Sequence, residues 1–117
     1  MFLDELKKRK LTLIVAPVDG RWGFRKIAIE CRDLLNIDLS RNEDVVVVIS
    51  KSSKVAKVVF QDVFARYTLI CCLHSGSYQR LMTDVMGPAL KKITYDQLIN
   101  YLKGIPIECK REDLFSH

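Results

Sequence analysis

Apolar and polar positions along the chain fall into short blocks of two different periods. Leu11 to Pro17 (LTLIVAP) is an apolar run closed by a proline and predicts a strand. Phe24, Ile27, Ala28, Cys31 and Leu34 or Leu35 then recur at i, i+3, i+4, i+7, the stripe of an amphipathic helix. Arg25, Lys26, Glu30, Arg32 and Asp33 fall off that stripe, and Asp19 is placed to cap the helix start. Asp44 to Ser50 (DVVVVIS) is continuous and β-branched, as expected of a strand buried on both faces. Lys51 to Lys54 is a polar turn, Val55 to Gln61 the next strand, Asp62 to Ala65 a turn, and Arg66 to His74 a further strand. Ser75-Gly76-Ser77 turns the chain into a last expected strand, Tyr78 to Met82. Short turns between these strands imply antiparallel pairing, since a parallel crossover needs a dozen residues or more.

Both ends carry their own signals. Asp4 and Glu5 precede Lys7, Lys8, Arg9 and Lys10, an order that suits a helix dipole, so residues 1–10 read as a short helix or arm. Residues 83–92 read as irregular, with Gly87-Pro88 as a breaker. Thr94 and Gln97 form a T-x-x-Q capping box, Leu98, Tyr101 and Leu102 share a face, and Gly104 with Pro106 stops the helix. The expected architecture is α+β: a four-stranded meander plus an N-terminal strand, with two main helices on one face of a mostly antiparallel sheet. Residues 1–107 form one domain in this reading, and 108–117 a loose, charged tail.

Composition narrows the picture. A chain of 117 residues, 49% hydrophobic and 28% charged, fits one domain with a core of its own and excludes separate cofactor and substrate domains. No apolar run reaches the ~20 residues of a membrane span. MFLDELKKRK places acids before bases, unlike a secretory signal or transit peptide, so the expected location is the cytoplasm. Four cysteines there are expected to be reduced. The net charge of +5 points towards nucleic acid or another acidic partner if it is gathered in one place.

Cys71, Cys72 and His74 are the one cluster of metal-ligand types. Strand alternation puts Cys72 and His74 on one face and Cys71 on the other, and a second ligand pair is missing, because Cys31 and Cys109 stand alone. Buried, inert thiols are the expected state, and no metal site is assigned. The chain has no phosphate loop, dinucleotide fingerprint, zinc-protease motif or nucleophile elbow, so no cofactor is implied. Asp19, Asp62, Asp84 and Asp96 are scattered, and no catalytic residue is assigned. The basic groups hold more: Arg21, Arg25 and Lys26 flank Trp22 near a helix start, and Lys51, Lys54 and Lys57 line a turn and the strand after it. These seven are the candidates for nucleic-acid or partner contact, since phosphates favour clustered cations near helix N–H groups and aromatics stack on bases.

Pro17-Val18-Asp19-Gly20-Arg21-Trp22-Gly23-Phe24 resembles the P-V-D-x-R-x-G-F segment of the small accessory protein encoded by the second open reading frame of the sixty-six family of bacterial insertion sequences. Asp38, the run Val45 to Ile49 and Ser50-Lys51-Ser52 follow in the family's order, as do Lys57, Asp62, Leu73, Gly76 and Tyr78. Ile93-Thr94, Gln97-Leu98, Leu102 and Gly104-Ile105 match its I-T-x-x-Q-L…L-x-G-I. The resemblance spans Leu13 to Ile107. The chain departs from the pattern at Gln61 (family Trp), Ala65-Arg66 (Gly-Phe), Cys71-Cys72 (Lys-Arg) and His74 (Glu). The resemblance implies a non-enzymatic helper of DNA transposition that works with a separate transposase, through DNA, protein contact or both. The alternatives are a protein-interaction module that exposes Val45 to Ile49 or Leu69 to Leu73, and a thiol or zinc protein using Cys71, Cys72 and His74.

Overall fold

Five strands hydrogen-bond into one sheet in the order β4-β3-β2-β1-β5, in a computed structural model that describes residues 2–14, 18–80 and 90–107. A 3₁₀ helix at Phe2–Lys8 leads into β1 (Lys10–Ile14). Then come α1 (Phe24–Leu35), a short 3₁₀ turn at Leu39–Arg41 and β2 (Asp44–Ile49). β3 (Val55–Gln61) and β4 (Arg66–Cys72) form a hairpin, and β5 (Leu90–Ile93) runs into α2 (Tyr95–Leu102). The expected α+β class holds, and the sheet is mostly antiparallel: among the five described strands only β1 and β2 pair in parallel, joined by the crossover through α1.

The helices do not share a face. Val45, Val47 and Ile49 of β2 pack with Leu98 and Tyr101 of α2 and with Leu6. Val46 and Val48 pack with Ile27 and Cys31 of α1. Side chains alternate across a strand, so an apolar run such as Val45 to Ile49 is stable only when both faces are covered. α1 covers one face and α2 with the N-terminal 3₁₀ helix the other, which corrects the expected one-sided packing and leaves none of Val45 to Ile49 open to a partner.

Other expectations shift as well, and the strand expected over Arg66–His74 is β4, which ends at Cys72. The strand expected at 11–17 is β1 from Lys10 to Ile14, and residues 15–17 lie outside the described residues. The strand expected at Tyr78–Met82 is absent over 78–80, with 81 and 82 outside the described residues. Tyr78 instead turns into the α2-side core, with its N–H on the Ser53 carbonyl at 2.8 Å and its ring stacked on Tyr101 at 5.6 Å. The fifth strand is β5, whose residues 90–92 fall in the stretch expected to be irregular, pairing with β1 from Leu11–Ile93 to Ile14–Leu90. Residues 83–89 and the expected tail at 108–117 lie outside the described residues.

Candidate functional site

The segments that carry the motif residues are far apart in sequence and meet at one corner of the sheet. β2 ends at Ile49, and there the chain from Val18 comes alongside: the Val18 N–H donates to the Ile49 carbonyl at 2.9 Å and Val18 bridges to Ser50 in parallel. Gly20 packs so closely on the following turn that a Cβ in its place would sit 3.2 Å from the Ser50 Cβ. Ser50 closes the turn through its backbone N–H to Val55 O (2.9 Å) and its hydroxyl, which accepts from Val55 N–H at 3.2 Å. Ser53, buried and in the left-handed region at φ 61°, passes the chain into β3.

Lys57 ties the corner together. It lies on the α1-facing side of β3 and is only 8% exposed. Its ammonium donates to the carbonyls of Gly20 and Trp22, both at 2.7 Å. Charge-assisted bonds of this length are the strong ones, and they satisfy a cation that would otherwise be costly to bury. Lys57 is therefore a clamp on the 20–22 loop, and its charge is turned inward.

The same loop neutralises its own arginine. Asp19 does not cap α1, whose N-cap is Gly23 without a side-chain bond. Its carboxylate instead pins a turn, accepting from the Arg21 backbone N–H at 2.9 Å and from the Arg21 guanidinium at 3.2 and 3.0 Å. Those bonds, and the cations of Arg21 and Lys51 nearby, lower the Asp19 pKa from 3.8 to about 2.

The remaining candidates divide. Lys26 pairs with Glu30 one helical turn on at 2.9 Å and lies over the Trp22 ring at 5.2 Å. Lys54 donates to the Gly76 carbonyl at 3.1 Å. Lys51 is exposed, and its backbone carbonyl accepts from Arg80, whose Nε also donates to Ser53 Oγ at 2.6 Å. Arg25 is exposed and makes no ion pair among the described residues. Of the six candidate cations, Arg21, Lys26, Lys54 and Lys57 make side-chain bonds within the protein, and Arg25 and Lys51 have no ion pair among the described residues.

A scan against protein-family models and searches of the curated proteins and the solved structures return no significant match. The reading of the site rests on the chain itself.

The cysteine cluster is dispersed. Cys71 is half-buried against the α2-side core, Cys72 is exposed on the opposite face, and His74 is exposed beyond the end of β4. Burial pushes the Cys71 thiol up, and buried Cys31 is pushed up to about 11, so both are held as neutral thiols. Among the described residues no three His, Cys, Asp or Glu side chains gather in metal-binding geometry.

A groove missed in the sequence lies between α1 and β4. It has a volume of about 650 Å³, and Phe24, Arg25, Ile29, Arg32, Asp38 and Arg66 are among the residues that line it. Arg25 and Arg32 stand seven residues apart on α1, a spacing visible in the sequence. Arg66 joins them because β4, at the sheet edge, passes beside the helix. Its guanidinium lies 5.7 Å from the Phe24 ring centre.

Proposed function

We propose that this protein is a non-catalytic helper of DNA transposition that acts with a separate transposase, through DNA, protein contact or both. The observation that carries the reading is the joining of the motif segments at Lys57. The segments at 18–24 and 50–57 resemble one family's pattern, and the contacts Val18–Ser50, Lys57–Trp22 and Lys57–Gly20, each between residues more than 30 positions apart, join them in one corner. The chemistry is assigned to the transposase, and this chain contributes a folded surface. The test is affinity capture of the full chain against the transposase of a sixty-six-family element, with and without the element's terminal DNA. Capture of the transposase, or of the end DNA, supports the helper role, and retention of neither contradicts it.

A second reading, a protein-interaction module without nucleic acid, is favoured by one feature. Val63 and Phe64 at the β3–β4 turn are 80% and 89% exposed, and Ile70 of β4 is 60% exposed. Apolar groups this open on an edge hairpin suit a protein partner. Capture of the transposase that is lost on Phe64→Ser, with no DNA retained, distinguishes this reading from the first.

A further inference from the structure

We propose that the groove between α1 and β4 holds the phosphate backbone of nucleic acid, gripped by Arg25, Arg32 and Arg66. The proposal rests on the DNA-contact branch of the function above and assigns it a place away from the 20–22 loop. Arg25 and Arg32 lie two helical turns apart, about 10 Å of rise at 1.5 Å per residue, with Ala28 and Ile29 between them on the groove wall. Arg66 faces them from the first residue of β4. Its guanidinium lies over the Phe24 ring, 5.7 Å from the centre, a cation–π contact that leaves its charge unpaired by any carboxylate among the described residues.

These charges are available. Arg25 and Arg66 have no ion pair among the described residues. Arg32 pairs with the adjacent Asp33 at 3.3 Å, with both side chains more than half exposed, a contact that water and salt weaken. Among the groove-lining residues the one carboxylate is Asp38, whose Oδ1 already accepts from the Ser40 backbone N–H (2.9 Å) and hydroxyl (2.5 Å). The neighbouring depression at Lys10 and Lys92 lacks this excess, because Asp38, Glu43 and Asp44 interleave with its cations.

The spacing selects the ligand class. One small phosphate cannot reach cations spread over two helical turns. A nucleic-acid strand presents a phosphate about every 3.4 Å along its axis and meets several at once, and guanidinium forks match phosphate oxygens. The groove offers little to read bases: Ala28 and Ile29 are apolar, and the Gln61 amide donates to Asn42 Oδ1 at 3.1 Å. Contact here is therefore independent of sequence.

Fluorescence anisotropy of the full chain with a labelled duplex of about twenty base pairs, titrated across a salt series, tests the groove. The expected result is salt-dependent binding. Combined Arg25→Gln, Arg32→Gln and Arg66→Gln should weaken it at least about tenfold at low salt and flatten the log–log salt slope by about 2 to 3. The corresponding Arg→Lys variant should restore most of the slope, and Lys103→Gln, on the exposed end of α2, should change neither. Circular dichroism confirms that each variant is folded. Wild-type binding that the Gln variant retains in full overturns the groove and leaves DNA contact elsewhere on the surface. No wild-type binding to duplex or single-stranded DNA at low salt overturns both the groove and DNA contact, while capture of the transposase would still support the helper role. Full displacement of the DNA by polyglutamate of equal charge overturns nucleic acid as the preferred ligand.

Discussion

Lys57→Met keeps the aliphatic stem in the sheet and removes the ammonium, leaving the Gly20 and Trp22 carbonyls without their donor. Hydrogen bonds to a charged group contribute about 1.5 to 3 kcal/mol each, so a loss of roughly 3 kcal/mol is expected in urea unfolding. Hydrogen exchange should rise around residues 18–22, and a change under about 0.5 kcal/mol would show that the clamp is idle. Asp19 gives a second test by pH. Its folded pKa lies below its value in the unfolded chain, so its contribution is complete above pH 3.8 and is lost as pH falls through about 2. A carboxyl NMR titration should follow that shift, and Arg21→Gln should bring the midpoint back towards 3.8.

At the level of elements, α2 and α1 start in opposite ways. Thr94 Oγ1 accepts from the Gln97 N–H at 3.1 Å while the Gln97 side chain accepts from the Thr94 N–H at 3.0 Å. Thr94→Ala should cost about 1 kcal/mol by chemical denaturation. No side-chain cap supports the start of α1, which is held by Ile27 and Cys31 packing against Val46 and Val48. α2 was legible in the sequence to within a residue because local chemistry defines both of its ends. β5 was not, because four residues (LKKI) carry no local strand signal and gain their bonds only from the edge of β1. The run Val45 to Ile49 did announce covered faces on both sides, and that requirement places the helices on opposite sides of the sheet. At the site, residue types showed where the cations are, and tertiary geometry decided which are spent: Lys57 turns inward because the strand alternation of β3 aims it at the loop before α1. Arg66 was invisible as a site residue because its neighbours lie about 40 positions earlier, on a helix it meets only through the sheet.

The described residues form one sheet between two apolar layers, one on each face. Ile27 belongs to the α1 layer and Leu98 to the α2 layer, 1% and 0% exposed. Each cut to Ala should cost about 3 kcal/mol, and the double variant should lose their sum to within about 0.5 kcal/mol. A coupling energy above about 1 kcal/mol would mean that the layers communicate through the strands. The layers leave two surfaces for a partner, the arginine groove on the α1 side and the apolar edge hairpin at Val63 and Phe64. Both suit the helper role proposed above, in which the chain contributes contacts and a separate transposase cuts DNA. The most direct measurement of that role is transposition frequency of a sixty-six-family element in cells supplied with its transposase, with and without this protein. The account predicts that transposition falls when the protein is omitted, is restored by the wild-type chain and is not restored by Lys57→Met. Transposition at the full rate without the protein would contradict it.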